Sequence, residues 1–326
     1  MFYPVKFAPI AHQRIWGGHK LKSLFGETRK EPIGEYWVLS GHPHATSMVT
    51  NGHFAGKSLV ELTKEYPQAY LGNSPQNRFP LLIKFLEAED DLSVQVHPHD
   101  QYAQEVEGDF GKTEAWYILD CRGGGLINYG HSFQNREEFL SAVKQKRIKD
   151  YLRYIEIKKD QFVFIPSQTL HALLAGTTLI EIQQTSDVTY RVYDWDRVDA
   201  QGKGRELHIE KAADVMRYGQ DQIFQDCSTM QRILQKTRKI FHEQLATCPY
   251  FVIEKISIED SCYSMKIGKK GNPDILIVAE GEGVLKTDGE YESLSLKQGD
   301  TVLIPSTMDT YEIHAISKIR LLRTYY

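Results

Sequence analysis

The sequence predicts a mainly β protein of jelly-roll or β-sandwich type, with two related β units and accessory helices. Three observations predict it. Short runs rich in Val, Ile, Phe and Tyr recur at regular spacing, separated by Gly, Pro, Asn and Asp. Helical patterns are few, so strands do not alternate with helices as a βαβ fold requires. One strand signature occurs twice: Lys158-Lys159-Asp160-Gln161-Phe162-Val163-Phe164-Ile165-Pro166-Ser167 is matched by Lys297-Gln298-Gly299-Asp300-Thr301-Val302-Leu303-Ile304-Pro305-Ser306.

In chain order, the clearest strand signals fall at residues 35–40, 81–86, 93–97, 115–120, 161–165, 178–183 and 189–193. Each is a β-branched or aromatic run bounded by turn formers. Residues 58–70 carry Leu59, Leu62 and Tyr66 at helical spacing, and Pro67 interrupts the pattern. Residues 135–152 place Phe139, Leu140, Val143, Ile148 and Leu152 at roughly helical spacing behind a capping Asn135. A third short helix is expected over 210–218. In the repeat, Ile118-Leu119-Asp120 and the glycine turn at 123–125 align with Ile277-Val278-Ala279, Gly281 and Gly283; Thr310 stands where the first copy has His171. Residues 1–235 are therefore expected to form the catalytic unit. Residues 236–326 form a unit without metal ligands that helps wall the cleft, and the polar, Gln-rich stretch 218–245 carries the connection.

Composition narrows the function. A chain of 326 residues with 41% hydrophobic content can bury two cores. The net charge is −4 and no Lys/Arg run is interleaved with aromatics, so no nucleic-acid partner is expected. No stretch approaches the roughly 18 apolar residues of a membrane helix. The first residues lack a signal-peptide pattern. Cys121, Cys227, Cys248 and Cys262 are scattered without a CxxC, which reads as reduced, mostly buried thiols in a cytoplasmic protein. A monomer is the default expectation, since no exposed apolar helix stands out.

Three segments carry chemistry. Gln95 and His97 lie two apart in Ser93-Val94-Gln95-Val96-His97-Pro98-His99-Asp100, so a strand turns both to one face. Glu114 sits in Lys112-Thr113-Glu114-Ala115-Trp116-Tyr117, and His171 ends Ile165-Pro166-Ser167-Gln168-Thr169-Leu170-His171. Two imidazoles, a carboxylate and an amide oxygen suit Zn²⁺ or another borderline divalent ion, with a position left for substrate or water. Pro98 ends the strand before His99, which argues against His99 as a ligand. His42 and His44 have no nearby carboxylate and are expected at the surface or behind the ligands. Lys84, in an otherwise apolar run, shares a face with Leu82 and Leu86 and points outward or into a polar pocket. Lys112 precedes Glu114 by two. The stretch Gly52-His53-Phe54-Ala55-Gly56-Lys57-Ser58 is one residue short of a P-loop and follows no apolar strand.

Phe79-Pro80-Leu81-Leu82-Ile83-Lys84-Phe85-Leu86-Glu87-Ala88 and Leu92-Ser93-Val94-Gln95-Val96-His97-Pro98 resemble the signature of type I mannose-6-phosphate isomerases (phosphomannose isomerases), short bacterial form. The resemblance continues, in order, through Ile15-Trp16-Gly17-Gly18, Gly34-Glu35-Tyr36-Trp37, Lys112-Thr113-Glu114, His171-Ala172 and Thr189-Tyr190-Arg191 to Asp194-Trp195. It implies a cupin fold, one zinc ion per chain, and interconversion of mannose 6-phosphate and fructose 6-phosphate through a cis-enediol. It also implies Gln95, His97, Glu114 and His171 as zinc ligands. Arg191 matches an active-site arginine and Glu181 a pocket carboxylate. With Lys84 and Lys112 they form the expected catalytic set, the cations serving the phosphate or a developing oxyanion. The competing reading for Arg191 is a salt bridge to Asp187 or Asp194. For the whole protein the alternatives are an iron-dependent cupin oxygenase and a non-catalytic sugar-binding cupin.

Overall fold

The computed structural model describes residues 2–199, 201–219, 231–287 and 293–326. Side-chain alternation decides the architecture. In the strand Leu81–Ala88, Leu81, Ile83 and Phe85 enter one core while Leu86 and Ala88 enter another. A strand buried on both faces must lie between two layers.

That strand belongs to a six-stranded antiparallel sheet in the order Phe162–Ile165, Glu114–Cys121, Thr177–Gln184, Leu81–Ala88, Ile33–Leu39, Ile10–Gly18. A five-stranded sheet faces it, ordered Leu152–Ile157, Gly125–His131, His171–Leu173, Val94–Val96, Tyr190–Tyr193. Leu86, Trp116, Ile118 and Leu179 from the first meet Ile127, Ile157 and Leu173 from the second and close the sandwich. The other face of the six-stranded sheet, with Ile83, Phe85, Tyr117 and Ile180, packs on Ile253, Ile275, Leu303 and Leu322 of a nine-stranded C-terminal sheet. That sheet wraps its own core of Ile256, Leu276, Val278, Val302, Ile304 and Leu321. The second unit therefore packs on the face of this sheet opposite the core of the first sandwich.

The predicted strands are present, with ends shifted by one or two residues. The helices needed more correction. Residues 58–70 split into Leu59–Glu65, capped by Ser58 in a capping box, and Pro67–Tyr70, with Pro67 in its first turn. The 135–152 pattern overran: the helix is Arg136–Lys144, capped by Asn135, and Lys146 then takes a left-handed φ of 56°. A short 3₁₀ turn, Ile148–Tyr151, follows, and Leu152 starts a strand. The third helix is Ile209–Val215. Of the expected connection 218–245, residues 220–230 lie outside the described residues, and Arg232–Lys236 and Ile240–Thr247 are paired strands of the C-terminal sheet.

The internal repeat is real, but its upstream register is one residue off the expectation. Asp160 N donates to Ile118 O (2.8 Å) and Ile118 N to Gln161 O (3.0 Å); Gly299 N donates to Val278 O (3.0 Å) and Val278 N to Asp300 O (2.9 Å). Ile118 thus corresponds to Val278, not Ile277. Apolar residues flank both positions, so side-chain type alone did not fix the register. Cys262 is exposed, and Cys121 and Cys248 are half-buried, against the expectation of mostly buried thiols; Cys227 lies outside the described residues. Among the described residues no helix is long and apolar enough to cross a membrane.

Candidate metal centre and active site

Strand pairing builds the site from both sheets of the first sandwich. On the five-stranded sheet Arg191 lies opposite Gln95, Gln95 opposite His171, and His171 opposite Tyr129. Direct partners share a face, so this row points one way. His97 follows Val96 at the end of its strand. On the six-stranded sheet Glu181 lies opposite both Trp116 and Lys84, and Lys84 lies opposite Trp37. Glu114 opens the neighbouring strand, two residues before Trp116.

His97, Glu114 and His171 converge and are fully buried. His97 Nε2 lies 3.4 Å from Glu114 Oε2, and His171 Nε2 lies 3.3 Å from Glu114 Oε1. The other nitrogens are occupied: His97 Nδ1 is 2.9 Å from Val188 O and His171 Nδ1 is 2.9 Å from Thr169 O. A carbonyl only accepts, so each Nδ1 carries the hydrogen, and in a neutral ring each Nε2 is a bare lone pair. Lone pairs then face carboxylate oxygens, an arrangement that asks for a cation between them. Burial, with Lys112 nearby, pushes His97 down to about 3, so a proton is not that cation at neutral pH. His97 Nε2 and both Glu114 oxygens are buried without a hydrogen bond of good geometry. Separations of 3.3–3.4 Å match the edge, about 3.3 Å, of a tetrahedron with metal–ligand bonds near 2.0–2.1 Å. The donor set therefore fits a divalent metal. Gln95 lies beside it, with its Nε2 3.4 Å from His171 Nε2; an amide flip would put Oε1 in that place.

Beside the donors runs a buried charge chain. Lys112 Nζ is 2.9 Å from Glu114 Oε2 and 4.0 Å from Glu181 Oε1. Lys84 Nζ is 3.4 Å from Glu181 Oε1 and 3.7 Å from Glu35 Oε2. Trp116 donates to Glu181 (3.0 Å), while Trp37 (2.7 Å) and Arg14 (2.8 Å) donate to Glu35. Burial raises the Glu181 carboxyl, and repulsion from Glu114 adds to it against Lys112 and Lys84. Burial would also raise Glu35, but Lys84, Arg14 and the Trp37 hydrogen bond bring it down to about 2. Two neighbouring carboxylates are thus pushed in opposite directions, the usual mark of divided acid–base roles.

The eight site residues named from the sequence all come to this pocket. Lys84 faces inward, not outward. Arg191 makes neither expected salt bridge: Asp194 is taken by Arg197 and Arg205, Arg191 Nη1 donates to Glu206 O (2.8 Å), and its buried Nε has no partner. His99 sits at the start of the Asp100–Val106 helix with its ring 6.5 Å from Tyr102, apart from the donor cluster. His42 is buried 6.0 Å from the Trp37 ring, behind the pocket as expected. Glu35, Trp37, Trp116 and Arg14 were given no role from the sequence, and neither was His12, whose ring lies tilted against Trp37 at 4.4 Å. The i, i+2 spacing of Glu35 with Trp37 and of Glu114 with Trp116 was the available signal.

Two facing sheets around a histidine–carboxylate centre, backed by a second β-barrel, define a two-barrel cupin-type protein. Comparison with known proteins specifies it. The family model "Phosphomannose isomerase type I, catalytic domain" matches residues 5–120, and "Mannose-6-phosphate isomerase, cupin domain" matches 242–326. The mannose-6-phosphate isomerase of Streptococcus mutans is 37% identical over 96% of this chain and 95% of its own length. The crystal structure of the mannose 6-phosphate isomerase from Bacillus subtilis superposes with a TM-score of 0.88 at 36% identity, covering 100% of both chains. A mannose 6-phosphate isomerase structure bound with zinc and yttrium shares the fold at a TM-score of 0.73 and 17% identity, covering 99% of both chains. The chain belongs to the type I phosphomannose isomerase family and is an aldose–ketose isomerase.

Proposed function

We propose that the chain interconverts mannose 6-phosphate and fructose 6-phosphate through a cis-enediol, with one Zn²⁺ held by Gln95, His97, Glu114 and His171. The single observation that carries the metal is the buried convergence of His97 Nε2 and His171 Nε2 on the two oxygens of Glu114, at the 3.3–3.4 Å spacing of a metal's donors. Zinc, once bound, would polarise the sugar oxygens and stabilise negative charge as a proton leaves carbon.

The remaining work falls to the chain's own groups. Glu181, with its carboxyl raised, is the group assigned to move the proton between C1 and C2. Lys84 fixes its position at 3.4 Å and balances its charge. Lys112 stays charged between Glu114 and Glu181, where it steadies the anionic reacting oxygens. Arg191 has an uncommitted buried Nε in the same row as Gln95, suited to the phosphate or to a developing oxyanion. We assign these roles to the unit spanning 1–235, and a supporting role to 236–326. A monomer working in the cytoplasm remains the functional form we propose.

A coupled isomerase assay tests the reading. Turnover should vanish with chelator and return with zinc, and Glu114→Ala or His171→Ala should lose both zinc and activity. A chain that binds the phosphosugar but never turns it over would favour the sugar-binding alternative. Normal zinc and turnover in both variants would overturn the ligand assignment.

A further inference from the structure

Outside the pocket, one other set of metal-binding side chains comes together among the described residues: Cys262, Glu312 and His314. It lies on the outer face of the C-terminal barrel. The strand Cys262–Lys266 pairs with Thr310–Tyr325 and sets Cys262 directly opposite His314. Glu312 is two residues from His314 and shares its face, while Tyr311 and Ile313 turn into the barrel core. His314 Nε2 already contacts Glu312 Oε2, and the three donors lie within 4.8 Å of one another.

The geometry points to Cys262, Glu312 and His314 as a second, solvent-facing metal site that takes a thiophilic divalent ion of the zinc type. A thiolate with an imidazole and a carboxylate is a zinc-like donor set, and three protein donors leave a fourth position open. The donors stand on paired strands whose inward neighbours are locked in the core, so only side-chain rotation is needed to close the ligand distances. Glu312 pairs with His314 and also takes the hydrogen bond of the Cys262 thiol, so all three donors meet at one carboxylate. The site differs from the pocket centre in having sulfur, in being exposed, and in lying on the other barrel.

Binding exchanges the thiol proton for the metal: the S–H bond breaks, an S–metal bond forms, and H⁺ leaves to solvent without change of oxidation state. The hydrogen bond to Glu312 raises the thiol above its ordinary value. The charged or titratable groups facing it are Glu312, His314 and the exposed Lys286, which lies opposite Glu312 on the adjoining strand.

Cobalt separates the two centres, because only this one offers sulfur. The chelator-stripped full chain is titrated with Co²⁺ alone and followed in the near ultraviolet for a thiolate-to-cobalt charge-transfer band, with bound metal counted after desalting. The expected result is a band and two bound ions. Cys262→Ser should abolish the band and one bound ion, while isomerase activity with added zinc is retained and reports an intact fold. His314→Ala should weaken the band-forming event by about tenfold or more. Absence of a band in the unaltered chain, persistence of the band in Cys262→Ser, or an unchanged cobalt affinity in His314→Ala would each overturn the site.

Discussion

His97 and His171 are held by single carbonyl contacts, Val188 O and Thr169 O, and those contacts decide which nitrogen faces Glu114. A buried site this dependent on orientation separates metal holding from catalysis residue by residue. Arg191→Ala should leave the zinc content intact, because its side chain is not among the donors. It should cut kcat by about 10²–10³, the typical cost of losing a charge-stabilising donor; metal analysis and steady-state kinetics on the same sample check this, and unchanged kcat would remove Arg191 from the mechanism. Glu35 carries a pH signature. Its carboxyl is brought to about 2 in the folded chain, against about 4.3 in an unfolded one. A lowered carboxylate contributes stability that is complete above the unfolded value and is lost as pH falls toward the folded one. The stability gap between the unaltered chain and Glu35→Gln should thus be largest at neutral pH, at most about 3 kcal/mol, and should close between pH 4.5 and 2. Urea unfolding at several pH values measures it, and a gap independent of pH would show that the ionised carboxylate contributes nothing.

The strand Leu81–Ala88 serves two cores and one active site, and its two faces should fail differently. Phe85→Ala opens a cavity in the core between the two units and should cost about 3–5 kcal/mol, with zinc content and kcat per folded molecule little changed. Lys84→Met keeps the volume and removes the charge beside Glu181 and Glu35, so it should lower kcat while zinc stays bound. Chemical denaturation and kinetics on both variants distinguish the faces; equal kinetic loss in both would mean that the outer face shapes the pocket. This strand also marks what the sequence disclosed. Its type and extent were legible because every residue is apolar or aliphatic-stemmed, and the parity of Lys84 with Leu82 and Leu86 was correct. Which parity faced the pocket was not legible, since both faces are buried and alternation carries no contrast. Glu35 and Trp37 stayed hidden for a related reason. Their shared face follows from i, i+2 spacing, but their meeting with Lys84 depends on which strands are neighbours. The convergence of His97, Glu114 and His171 was legible because donor chemistry restricts residue type where packing does not. The helix from Asn135 was overextended because Ile148 and Leu152 continue the apolar pattern after the backbone has already turned at Lys146.

The two barrels solve the same buried-charge problem in different ways. Ile165 pairs with Glu114 in the first and Ile304 with Asp274 in the second, so Asp274 stands where Glu114 stands. Glu181 lies opposite Lys84, and in the corresponding strands Arg323 lies opposite Glu254, so the charges are exchanged. Arg323 places Nη2 2.5 Å and Nε 2.9 Å from Asp274 Oδ2, and Nη1 3.1 Å from Glu254 Oε2. A guanidinium thus meets the second barrel's buried carboxylate where the first has donors suited to a metal ion. Tyr311 and Tyr325 donate to Asp274 and Glu254, and His242 Nε2 lies 2.9 Å from Glu254, which completes the network. Arg323→Met fills similar volume but strands Asp274 without a counter-charge in a site that water does not reach, and the expected cost is about 3–5 kcal/mol. Replacing Arg323, Asp274 and Glu254 together by apolar residues should recover most of that loss, since removing all the charges removes the desolvation penalty with them. Both variants should keep zinc and kcat per folded molecule, because the network lies in the C-terminal barrel, behind the catalytic sheet. Urea midpoints for the single and triple variants decide it: a single-variant cost below about 1 kcal/mol would mean that Arg323 does not carry the charge balance of the second barrel.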